Sequence, residues 1–447
     1  MMKGMRSLKA FMPLFAVALF TLSACGLLPG SETPDPPTTT PESETPVAVS
    51  SSDVINTPRF QLPEPTPQPK LQLNIWLPPE IASRTEAGAV VFSDQLLAFN
   101  SANPDLEISV EQKSVSGQGG ILNYLRTGEN VAPGILPDLI AIPVRQITAV
   151  SDEGLIFPME DIIDRSSLEN LYPVAQEWAN HNDHIVAYPF AITELPMLEY
   201  SPVITESPSL RWQEFITGTD RTMVLPAIGS SGAKLALQFY LDAGGSLENE
   251  AGQEALELEP LTLALQQLYD GRQSGFILPQ SSNISAINEG RLLVQNGTAD
   301  YTLSASDEFL MGRTEEIVPG FSTIPGLTGS QTPLVHGWAW AITTSDPAKK
   351  ATAANLINTL TTSENLGSWS LNSKMLPAHP DAFARWPEED TFVPFADQEL
   401  QRSLNMPRRD NSATMRALED AVFDVVSLSK TPAEAAAEAV STLQPQP

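Results

Sequence analysis

Trp338 and Trp340 stand two apart in His336-Gly337-Trp338-Ala339-Trp340-Ala341-Ile342, a run that reads as a strand. Side chains two apart on a strand share a face. The pair could therefore offer aromatic faces to the C–H patches of a polar solute such as a sugar. Gly337 would leave room for close approach; the alternative is that both rings pack under a helix. Trp76 ends the alternating run Leu71-Gln72-Leu73-Asn74-Ile75-Trp76. It sits at the carboxyl edge where open α/β sheets gather ligands, with packing under the next helix as its other role. Arg145 follows a short apolar strand at 137–142 and could make bidentate hydrogen bonds, or a surface ion pair. Ser230 and Ser231 precede a helix, so their hydroxyls and the free N–H groups there could hold a polar or anionic group, or merely cap the helix. Ser304 and Ser306 add hydroxyls further along.

Catalytic motifs are absent. The chain has no Gly-x-Ser-x-Gly elbow, no Gly-x-x-x-x-Gly-Lys phosphate loop and no His-Glu-x-x-His. Its 54 acidic residues make adjacent carboxylates expected by chance, so a carboxylate pair for glycoside hydrolysis stays open without support. His181 and His184 flank Asn182-Asp183 and read as a polar turn rather than a metal site. No cofactor or metal is expected.

The positioning elements follow from periodicity. Strand, helix, strand, helix, strand run through 71–76, 88–99, 106–110, 121–125 and 137–142, the pattern of βαβ units around a parallel sheet. Later helices are expected at 232–243, 260–271, 347–362 and 413–428, with Pro260 and Pro347 at two starts. About 375 ordered residues exceed one comfortable core, so two domains are expected.

The amino terminus carries an address. Lys3, Arg6 and Lys9 precede an apolar run at 10–22, too short to span a bilayer. Leu22-Ser23-Ala24-Cys25 resembles the lipobox of bacterial lipoproteins, which implies cleavage at 1–24 and acylation of Cys25, the only cysteine. Residues 25–70 then read as a disordered tether, with eleven prolines in 26–70. Losing residues 1–24 removes three basic and no acidic residues, taking the formal net charge from −29 to −32. So acidic a chain excludes nucleic acid as partner.

Five blocks fall in a known order. They are Trp76 with Phe99-Asn100 and Asn103-Pro104; Leu136-Pro137-Asp138-Leu139 with Gly154-Leu155-Ile156-Phe157-Pro158-Met159; Val186-Ala187-Tyr188-Pro189-Phe190-Ala191 with Leu198-Glu199-Tyr200; Leu241-Asp242-Ala243-Gly244-Gly245 with Ser274-Gly275-Phe276; and Ile324-Pro325-Gly326 with the 336–342 run. Together they resemble the family-1 extracellular solute-binding proteins of ABC importers. Where that family commonly has Tyr-Asn, this chain has Tyr200-Ser201.

The resemblance implies an α/β, two-lobe periplasmic-binding-protein-like fold, with hinge-linked lobes and a central ligand cleft. The first lobe would comprise 71–195 plus 305–362, and the second 196–304 plus 363–440. It also implies that Thr193 and Glu194 lie where relatives offer a ligand-contacting carboxylate. The expected protein is a lipid-anchored, extracytoplasmic receptor and no enzyme. It would take a small solute, a carbohydrate ahead of a peptide or ion, and as a monomer pass it to an ABC permease. A glycan hydrolase, or a tethered scaffold uncoupled from transport, is the alternative.

Overall fold

The computed structural model describes residues 70–128, 135–218, 220–314, 318–407 and 412–443. The signal-like segment, Cys25 and the Pro-rich run to residue 69 lie outside them. Strand Leu71–Leu77 pairs in parallel with Leu106–Gln112 and with Leu139–Pro143, as the βαβ spacing predicts. All five residues of Leu139–Pro143 are buried, because a parallel strand is covered on both faces. Strand Leu334–Ile342 inserts antiparallel between Leu139–Pro143 and Tyr188–Thr193, and Leu376–Pro377 closes that side. Short strand Leu404–Asn405 pairs with the start of Leu334–Ile342, making a seven-stranded sheet.

A second sheet has the order Gly320–Ser322, Pro196–Tyr200, Tyr301–Ala305, Met223–Val224. Helices Gly229–Asp242, Leu258–Gln273, Ala413–Ser427 and Pro432–Thr442 contribute apolar residues to its core. Trp212 is buried there and donates through Nε1 to the Gln267 carbonyl at 2.8 Å. Pro347 is the first residue of its helix, whereas the helix holding Pro260 begins two residues earlier, at Leu258.

The two cores exchange chain several times. Met197 belongs to the first and Leu198 to the second; Leu303 to the second and Phe309 to the first; Ile324 and Leu334 to the second and Val335 to the first. The crossing expected near 362 does not occur. Thr362 caps helix Ser363–Ser373 immediately after Pro347–Leu360 ends, and residues through Leu400 stay in the first core. Gly88 admits that helix, since a Cβ there would lie 2.9 Å from the Ser373 Cα. The passage to the second core comes between Leu400 and Met406. Residues 324–334, expected in the first lobe, likewise contribute Ile324 and Leu334 to the second.

The hairpin at 180–185 is the polar turn its sequence suggested. Asn182 and Asp183 both have positive φ, 49° and 67°, the requirement of a two-residue type I′ connection. His181 bonds Asp152 and His184 bonds Glu160, each at 2.6 Å. The described residues hold no group of three or more metal-ligating side chains and no helix long and apolar enough to cross a membrane.

One ion pair inside the second lobe carries unusual risk. Glu199 of Pro196–Tyr200 accepts from Arg291 Nε at 2.7 Å, with the side chains 1% and 7% exposed. Glu199 Oε1 and Arg291 Nη2 are buried without partners. Removing one member leaves an uncompensated buried charge. Arg291→Leu should cost about 3–5 kcal/mol in urea denaturation, and Glu199→Leu/Arg291→Leu should recover most of it. Equal losses in the single and double variants would contradict this.

Candidate functional site

The strand Tyr188–Thr193 ends four residues before Met197, the last first-core residue ahead of the crossing. Thr193 is buried opposite His336 of the neighbouring strand. Glu194 then takes a left-handed backbone, φ 59°, which costs a residue with a Cβ about 1–2 kcal/mol. Beyond it, Leu195 and Ser306 lock together. Leu195 N–H donates to Ser306 Oγ at 3.2 Å, and Ser306 N–H donates to the Leu195 carbonyl at 2.9 Å. Ser306 is fully buried and therefore structural.

The Glu194 side chain meets Lys234 of helix Gly229–Asp242, and His336 Nε2 lies 3.8 Å from the same carboxylate. Burial alone would raise the Glu194 carboxyl. Lys234, His336 and Arg145 outweigh it and hold the group below its ordinary value. An ionised carboxylate just past a strand of the first sheet is thus tied to a second-lobe helix.

Two cavities flank this pair. The first, about 340 Å³, is walled by aliphatic side chains such as Leu235, Ile287, Leu303 and Met406. Its polar lining includes Glu194, Ser231, Lys234, Gln238, Ser304, Asp307 and Glu308. Ser304 is 3% exposed, and its hydroxyl has no hydrogen-bond partner in the structure. The second, about 300 Å³, is lined by Arg145, Ser230, Ala233, Lys234, Met415, Arg416 and Glu419. Lys234 is common to both.

Five sequence candidates therefore assemble here: Glu194, Ser231 and Ser304 on the first cavity, Arg145 and Ser230 on the second. Neither serine caps its helix. The cap position is Ile228, without a side-chain bond, and Gly229 N–H instead donates to Glu419 Oε1 at 2.8 Å.

Three aromatic candidates do not line either cavity. Trp340 is buried in the first core, its ring stacked 4.8 Å from Phe190 and 6.4 Å from Phe92. Phe190 is the residue skipped where the pairing shifts between Trp338 and Ala339, so the bulge supplies the stacking partner. Trp338 is half-buried against the same core. The space beside Gly337 is taken by Trp178, whose ring would lie 2.3 Å from an added Cβ. Trp76 is 3% exposed beneath Tyr124, with Lys113 Nζ 4.5 Å from its ring centre. The connection after Trp76 does contribute, through a different residue: Arg84 bonds Asp307 of the first cavity at 3.3 Å.

Lys234, Gln238, Asp307, Glu308 and Arg416 were not nominated from sequence. Lys234 lies four residues after Ser230 and Gln238 seven after Ser231, so helical spacing carried the signal. Arg416 had none, since only the packing of two helices brings it in.

The depressed Glu194 carboxyl has a pH consequence. Its contribution to stability is complete above the ordinary glutamate value of 4.5 and fades as pH falls through the lower folded value. In acid titrations followed by circular dichroism, Glu194→Gln should remove part of the stability lost below about pH 4.5. An unchanged acid limb would contradict the Lys234 pairing.

No family model and no curated protein matches the chain. Solved structures do. The cyclic α-maltosyl-1,6-maltose binding protein of Arthrobacter globiformis aligns with a TM-score of 0.67 at 15% identity, covering 84% of this chain and 98% of its own. A family-1 extracellular solute-binding protein from Alicyclobacillus acidocaldarius gives 0.66 at 15%, over 84% and 98%. A maltose complex of the maltose-binding periplasmic protein of Listeria monocytogenes gives 0.65 at 15%, over 84% and 97%. Identity at this level speaks to fold alone: this chain has the two-lobe α/β fold of the extracellular solute-binding proteins.

Proposed function

We propose that the protein is an extracytoplasmic solute-binding receptor that captures a small carbohydrate between its lobes and passes it to an ABC permease. The observation that carries this reading is the cavity of about 340 Å³ at the lobe crossing, with an aliphatic wall and convergent carboxylate, amide and hydroxyl groups. Aliphatic surface meets sugar C–H groups, and carboxylates accept from sugar hydroxyls. Ser304, buried and unpartnered, gains a bond when a polar solute enters. Structures of this fold bound to maltose and acarbose support a carbohydrate.

Glu194 is unsuited to serve as a general acid. A general acid needs a raised carboxyl, whereas this one is lowered and suited to accepting hydrogen bonds. Acylation of Cys25, with residues 26–70 as tether, would hold the receptor near its permease. Lobe closure about the 194–197 and 305–306 crossings would report occupancy.

Thermal-shift measurements on the full-length protein with glucose, maltose, maltotriose and galacturonate test the reading. A bound sugar at a hundred times its Kd should stabilise by about 2.7 kcal/mol, and Lys234→Ala should weaken that binding at least tenfold. Silence across the panel, or cleavage of a glycan, would contradict it.

A further inference from the structure

We infer that the captured carbohydrate is an amino sugar, and that the first cavity holds its ammonium group among Ser304, Asp307 and Glu308. This rests on the receptor reading above and names the substrate class of the same site.

Unmet hydrogen bonds supply the first reason. Ser304 is 3% exposed and lines the cavity, and its hydroxyl has no partner. Asp307 lines the same cavity, and its Oδ1 is likewise buried without a partner. Its other oxygen, Oδ2, accepts from Arg84 at 3.3 Å. A carboxylate oxygen can only accept, and a serine hydroxyl can accept as well as donate. Buried acceptors left unmet cost free energy that an entering donor recovers. An ammonium carries three donors on one atom, whereas a sugar hydroxyl carries one.

Charge supplies the second reason. Three carboxylates line the cavity: Glu194, Asp307 and Glu308. Two cations answer them, since Lys234 pairs with Glu194 and Arg84 with Asp307. Among the described residues Glu308 has no ion pair. With histidine neutral, three acids against two bases leave one negative charge, the complement of one ammonium.

Folding accounts for only part of this. Asp307 and Glu308 stand in the first turn of helix Ser306–Gly312, where a helix favours acids. That preference does not require both carboxylates on the cavity wall, nor a buried serine beside them with its hydroxyl unmet. Ser231, Gln238 and Asn288 add the polar contacts that ring hydroxyls need. Among the described residues no aromatic ring lines this cavity. Without stacking, a neutral sugar is held by hydroxyl contacts and aliphatic surface alone. A charge-assisted hydrogen bond, roughly twice as strong as a neutral one, then decides which sugar is preferred.

Matched pairs test this by calorimetry on the full-length protein: glucosamine with glucose, galactosamine with galactose, and the β-1,4 disaccharide of glucosamine with cellobiose. The amino member of at least one pair should bind at least about tenfold tighter. N-acetylglucosamine, which keeps the nitrogen and loses the charge, should show no such advantage over glucose. Glu308→Gln should abolish the advantage. Ser304→Ala should weaken the amino sugar about threefold or more, while the free protein melts at the same temperature or higher, because an unmet hydroxyl has been removed. A Ser304→Ala protein that melts lower and binds as tightly as the parent would overturn the ammonium site. Neutral members binding as tightly as amino ones, or an amine preference that survives Glu308→Gln, would overturn it too and leave the receptor standing. Putrescine, an ammonium without a ring, matching glucosamine would overturn the sugar assignment. Silence from every sugar would overturn the receptor reading and this inference with it.

Discussion

Leu195 and Ser306 hold each other where the chain passes between its two cores, through one backbone hydrogen bond and one to the serine hydroxyl. Both residues are fully buried. The link fixes two antiparallel connections, one entering the second lobe and one leaving it, so every neighbouring side chain has a defined origin. Glu194 is pushed into its left-handed backbone on one side of it. Ser304 and Asp307 flank it on the other. A site assembled at such a crossing draws on both lobes, which is what a receptor closing around its solute requires.

Charge is the second organising constraint. Arg145, Lys234 and Arg416 line one cavity, with Glu419 beside them. Lys234 sits between the two cavities and is neutralised by Glu194. Arg145 and Arg416 lie on the far side of it. Glu194, Asp307 and Glu308 line the first cavity, and Glu419 lines the second.

Much of the fold was legible because parallel strands and their helices leave strong periodic signals. The run at 137–142 reads as a buried strand, and Leu139–Pro143 is one. The candidate site was legible in part, in that five nominated residues line the two cavities. Glu194, Ser231, Ser304, Arg145 and Ser230 were reached through strand edges, a helix start and the family resemblance. The tryptophans misled, since aromatic residues two apart on a strand serve a core as readily as a cleft. Trp340 met Phe190 across a bulge that no local pattern announces. Residues 363–400 were misassigned because nothing at Thr362 distinguishes a hinge from a tight turn between helices of one lobe. Arg416 depends on helix packing across more than 180 residues of chain, a distance over which local spacing carries no information.

Hydrogen-exchange mass spectrometry, with and without the sugar that binds, tests the location of the site most directly. Occupancy should slow exchange together in 194–197, 229–238, 304–308 and 413–419, segments distant in sequence that meet only at the lobe crossing. Protection confined to other parts of the molecule, or an unchanged exchange pattern despite demonstrated binding, would contradict the account.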